Sequence, residues 1–64
     1  MSPQCAEMRE KAGVTFDQAA RRLMVQRRYL RAIERGSRRL PYGLALRMAA
    51  LYRCSVFAFI LPHQ

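Results

Sequence analysis

The sequence predicts an all-α fold, a compact domain of five short helices, two of which meet at a tight turn near its centre. Three observations lead there. Ala, Leu, Met and Arg dominate the 64 residues, while Val, Ile and aromatic residues are few, a balance that favours helix over sheet. Capping and stop residues divide the chain into pieces of helical length. Within those pieces apolar residues recur at spacings of three and four. The length fits one domain over residues 1–64, with a core too small to enclose a large enzymatic pocket.

The elements follow in order. Ser2 is placed to cap a first helix with Pro3 at its first position. Cys5, Met8 and Ala12 then define its apolar face, and Gly13 stops it. Thr15 caps a second helix, and Thr15 with Gln18 fits the reciprocal capping box. This helix carries Ala19, Ala20 and Leu23, and Met24 and Val25 break the pattern. A third helix begins near Gln26, turns Leu30 and Ile33 inward and ends at Gly36. Ser37 to Leu40 is a basic, polar loop. Pro41 opens a fourth helix whose apolar residues are Leu44, Leu46, Met48, Ala49, Leu51 and Tyr52. Gly43 is a weak helix former in its first turn. Ser55 caps a last helix, about 56–61, stopped by Pro62. There are no repeats and no linker.

Charge is the next constraint. Twelve basic residues face four acidic ones, for a net charge of +8, and eleven of the twelve are Arg. Eight Arg and a single acid, Glu34, fall between positions 21 and 39. Such a concentration repels itself without a polyanionic partner. Arg in particular suits planar contacts with phosphate and guanine. Cys5 and Cys54 form no CxxC and read as small buried apolar residues. His63 is the sole His, so no zinc-ligand set exists, and it is assigned no role. No metal and no cofactor is expected. The N-terminus does not read as a signal peptide, and no apolar run reaches spanning length. A cytoplasmic protein is expected.

The segment about 16–35 carries the functional signal. Two helices joined by about three residues must cross steeply, and the second can then enter a major groove. That second helix reads Gln26-Arg27-Arg28-Tyr29-Leu30-Arg31-Ala32-Ile33-Glu34-Arg35. With Leu30 and Ile33 inside, Arg27, Arg28, Arg31 and Ala32 face outward. A helix roughly 10 Å wide fits a groove of about 12 Å.

Here the chain resembles the phage repressor and Cro type of helix-turn-helix regulators, the Xre-like family. The matching stretch runs from Met8 to Leu61. It contains Arg9 to Thr15, Ala19-Ala20-Arg21-Arg22-Leu23, Val25, Tyr29-Leu30, Ile33-Glu34-Arg35-Gly36, Leu44 to Ala49 and Ser55-Val56. The chain departs from the pattern at four places. Phe16 stands where Gln is usual, Met24 where Gly is common, Gln26 where Ser or Thr is usual, and Phe57 where an acid is common.

The resemblance implies a domain that binds DNA as a dimer. It implies base readout by Arg27 and Arg28, with Arg31 and Ala32 one turn further along. Arg bridges guanine O6 and N7, and Ala32 is suited to a thymine methyl. It also pairs Glu34 with Arg9, tying the third helix to the first. Phosphate contacts are expected at the helix starts near Phe16 and Tyr42, where free N–H groups accept anions. Tyr29, Arg35, Arg38 and Arg39 supplement them, fixing register without reading sequence. Arg21 and Arg22 are solvated or phosphate-facing. Tyr29 also reads as a half-buried packing residue, and Phe16, Tyr42 and Tyr52 as core or core-edge residues.

The last helix is apolar nearly all round. Val56, Phe59 and Ile60 fit the inward side. Phe57, Ala58 and Leu61 then form a patch for an isologous homodimer, which would set two recognition helices about 34 Å apart. The expected function is sequence-specific double-stranded DNA binding by a transcriptional repressor or an antitoxin-like autoregulator. An unidentified protein partner is compatible with that role. The alternative is a helix-turn-helix module reused to bind RNA or an acidic protein. A membrane-active amphipathic peptide is disfavoured by the breaks at Gly13, Gly36, Pro41 and Ser55. One terminal His, two scattered Cys and few carboxylates make no catalytic constellation, so an enzyme is not expected.

Overall fold

A computed structural model of the chain describes residues 3–60. They form α1 (Pro3–Lys11), α2 (Phe16–Leu23), α3 (Arg27–Arg35), α4 (Tyr42–Tyr52) and α5 (Phe57–Ile60), with no strand among the described residues. The fold is all-α and compact. The expected roles of Ser2, Leu61 and Pro62 lie outside the described residues.

Local chemistry explains where the helices begin. The Thr15 hydroxyl accepts the Gln18 N–H at 3.1 Å, and the Gln18 side-chain oxygen accepts the Thr15 N–H at 3.0 Å. This reciprocal box satisfies two N–H groups that α2 cannot pair internally. Gln26 precedes α3 with extended backbone and Pro41 precedes α4 likewise, and neither supplies a side-chain cap. Ser55 Oγ accepts the Phe57 N–H at 3.2 Å and opens α5.

The first four helices end by one device. At each C-terminus a left-handed residue turns the chain: Gly13, Met24, Gly36 and Arg53. The residue after it donates back across the last turn. Val14 N–H reaches Arg9 O, Val25 reaches Ala20, Ser37 reaches Ala32 and Cys54 reaches Ala49, at 3.0 to 3.1 Å. This is the Schellman closure, which usually employs Gly because a Cβ is strained there. Met24 and Arg53 hold it as ordinary L-residues, at about 1–2 kcal/mol each. Met24 is 85% exposed, so its side chain recovers little of that by packing.

The core is drawn from four helices. Leu23 of α2, Leu30 and Ile33 of α3, Met48 of α4 and Cys5 of α1 are its largest fully buried side chains. Ala19 and Ala45 are fully buried too, which lets α2 and α4 approach closely. Tyr52 and Phe59 meet edge to face at 6.2 Å and seat α5 on α4. Arg47 Nη2 donates to the Leu23 carbonyl, joining α4 to the C-terminus of α2. Cys54 lies at the core edge, and burial pushes its thiol pKa up.

Three expectations about α1 and α5 need correction. Ala12 is exposed and lies beyond α1, because the helix ends at Lys11 and the Gly13 turn rotates position 12 off the apolar face. Val56 precedes α5 instead of opening it. Ile60 is 39% exposed and not inward, since a helix this short covers the core with Phe59 alone.

Candidate nucleic-acid interface

The surface of α3 separates into two rows. Leu30 and Ile33 are fully buried on the inner row. Glu34 is half-buried beside them. On the outer side Arg27, Arg28, Arg31 and Arg35 are exposed and Ala32 is half-buried. The helix is therefore anchored by one face and presents guanidiniums on the other, as a groove-reading helix requires.

The inner row is locked by Arg9. Its Nε donates to Glu34 Oε2 at 2.8 Å and its Nη2 to Oε1 at 3.4 Å, with both side chains 11% exposed. Its Nη1 donates to the Val14 carbonyl at 3.1 Å. One guanidinium thus ties α1, the turn after it and α3. The bond to Glu34 is the main cause of the raised Arg9 pKa.

The outer row has two edges. On the edge facing α2, Arg31 lies over the Phe16 ring at 4.7 Å, with Arg27 at 5.9 Å and Arg9 at 5.7 Å from its centroid. Arg27 Nε is also 3.0 Å from Asp17 Oδ1. Both partners of that pair are largely exposed, so it contributes at most about 1 kcal/mol and a phosphate or base can compete for Arg27. On the opposite edge, Arg28, Tyr29 and Ala32 line an open groove of about 460 Å³ with Gln26, Ser37 and Arg38. The Arg38 guanidinium carbon lies over the Tyr29 ring, 5.1 Å from its centroid. Ser37 Oγ donates to the Ala32 carbonyl at 3.2 Å, holding the loop against α3.

The remaining residues singled out in the sequence fall around this face or away from it. Arg39 is exposed in the loop, and Tyr42 is 59% exposed at the first position of α4, which corrects its expected place in the core or at its edge. Phe16 begins α2 with its ring half-buried against the core. On α5, Phe57 is exposed and Ala58 half-buried, and Leu61 lies outside the described residues. Two partners were missed. The sequence assigns no role to Asp17 or to Arg47. Their contacts cross between helices, and no spacing in the chain announces them.

Among the described residues no group of His, Cys, Asp and Glu is placed to hold a metal ion. No helix there is long and apolar enough to cross a membrane. No curated protein matches the chain. A family model described as a helix-turn-helix domain matches residues 5–56, more than four-fifths of the sequence. That match spans α2, the Met24 turn and α3, and it is consistent with the Xre-like, Cro-type resemblance. It points to DNA as the partner and to a family that is typically not enzymatic. The chain belongs to the helix-turn-helix domain family.

Proposed function

We propose that this protein binds specific double-stranded DNA as a homodimer in the cytoplasm, acting as a transcriptional repressor or autoregulator. Helix α3 enters the major groove. Arg27, Arg28, Arg31 and Ala32 read base edges, and Tyr29, Arg35, Arg38, Arg39 and the starts of α2 and α4 at Phe16 and Tyr42 hold phosphates. The observation that carries this reading is the outer row of α3, where exposed guanidiniums stand on a helix anchored from its other side by fully buried Leu30 and Ile33. The uncapped start of α4 supports the phosphate role, since its first N–H groups have no side-chain partner. Phe57, Ala58 and Leu61 form the proposed dimer patch, and exposed Phe57 supports it.

Selection from a random duplex pool tests the proposal. The expected product is a palindrome with G-containing half-sites about one helical turn apart. The selected duplex should outcompete random duplex and RNA at physiological salt. Equal competition by all three, with steep salt dependence, would leave only non-specific polyanion binding. Preferential capture by RNA or an acidic protein would favour the reused-module alternative.

A further inference from the structure

Among the described residues, Phe16 is the one aromatic ring shared by several guanidiniums. Arg31, Arg9 and Arg27 all lie within 6 Å of its centroid. A ring used only for packing has no need of cationic neighbours. Three like charges around it repel each other, and the negative ring face offsets part of that repulsion. The contacts form a continuous chain. Glu34 holds Arg9, Arg9 lies beside Phe16, Phe16 carries Arg31 and Arg27, and Asp17 holds Arg27.

We infer that Phe16 is a specificity-determining positioning residue, an aromatic platform that presents Arg31 and Arg27 edge-on to guanine-containing base pairs. The inference rests on the duplex-DNA reading above. Its physical basis is the shape of guanidinium. All five N–H donors lie in the plane, so a ring against the flat face leaves the donating edge free. The platform also limits the rotamers of a long, flexible side chain before DNA arrives. That limitation lowers the ordering cost of the bound state. Arg27 is restrained twice, because its Nε is engaged by Asp17 while its terminal Nη groups stay available for a bidentate contact. Arg28 has no such neighbour and lies on the other edge, against the Tyr29 groove. The two sides of α3 therefore read DNA differently, with a braced pair on one and an unbraced Arg on the other.

The test compares Phe16→Leu, Phe16→Tyr and wild type on the selected duplex and on random duplex. Leu keeps an apolar side chain and removes the π face, and net charge is unchanged. The expected result is a fall of about fivefold or more in the ratio of selected to random affinity for Phe16→Leu. Phe16→Tyr should restore the ratio, and the salt slope should be the same for all three. A ratio for Phe16→Leu within about twofold of wild type overturns the inference, as does equal weakening on both duplexes. A second readout uses the wild-type protein alone. The Arg31 Nε–H proton resonance should show the upfield ring-current shift of a stacked guanidinium, both free and bound to the selected duplex. Loss of that shift on DNA overturns the platform even if Phe16→Leu fails to fold. If the wild type selects no motif at all, the duplex-DNA reading itself fails. A selected motif that Phe16→Leu reads as well as wild type removes the platform and leaves that reading standing.

Discussion

Replacing Glu34 by Ala removes the acceptor for two Arg9 donors, at 2.8 and 3.4 Å. Breaking a buried pair on one side costs about 3–5 kcal/mol because the surviving charge is left uncompensated. Here the damage is smaller. The pair keeps 11% exposure on each side, and Arg9 retains the Val14 carbonyl and the Phe16 ring. A second effect adds to it, since Glu34 is the single acid between positions 21 and 39 and its loss strengthens repulsion across α3. Together these give roughly 2–3 kcal/mol of destabilisation. A chain of this length has a total stability of about 3–10 kcal/mol. The midpoint of thermal unfolding, followed by circular dichroism, should therefore fall by about 10–20 °C. The ratio of selected to random duplex affinity, measured well below that midpoint, should hold, because Arg31 and Arg27 keep the Phe16 ring, and Arg27 keeps Asp17, when Glu34 is lost. Replacing both partners by apolar residues, Arg9→Met with Glu34→Leu, should cost less than Glu34→Ala alone. A midpoint for Glu34→Ala within a degree or two of wild type would refute the argument that this pair locks α1 to α3.

Further outcomes are expected. Met24→Gly relieves a left-handed L-residue, and after the entropy of a new Gly is subtracted it should raise stability by about 0.5–1 kcal/mol in urea unfolding. Tyr52→Phe should be neutral or stabilising by up to about 1 kcal/mol, since the buried hydroxyl has no hydrogen-bond partner among the described residues. The same hydroxyl gives a pH dependence. Burial, with Glu34 adding, pushes its pKa from 10.0 up to about 12. The folded state then holds the proton where the unfolded state has lost it, so stability present below pH 10 should decline by roughly 2–3 kcal/mol as pH rises toward 12. Tyr52→Phe should abolish that part of the alkaline decline in unfolding titrations. Arg28→Ala should relax base preference at one position of the half-site. Arg38→Ala and Arg39→Ala should weaken all duplexes alike and each lower the salt slope by about one unit.

Much of this architecture is legible in the residues, and the limits follow from range. The Thr15–Gln18 box and the Gly13 and Gly36 stops are local, because each closes within one turn of helix. The burial of Leu30 and Ile33 follows from a three-residue step on one face. Arg9 and Glu34 are 25 positions apart, and no periodicity pairs them, so that contact was open only to family resemblance. Asp17 with Arg27, and Arg47 with the Leu23 carbonyl, depend on how separate helices pack. In α5 every side is apolar, which left nothing to distinguish Ile60 from Phe59 before α4 was in place.

The division of α3 into an anchored row and a presenting row has a practical consequence for redesign. Side chains at 28 and 32 can be exchanged without disturbing Leu30, Ile33 or Glu34, so the face proposed to meet DNA is editable while the seating of the helix is kept. The edge toward α2 is different. Any library that varies Arg27 or Arg31 alone leaves a ring and a carboxylate shaped for guanidinium beside whatever replaces them. Retargeting that half of the helix means varying positions 16 and 17 in the same step.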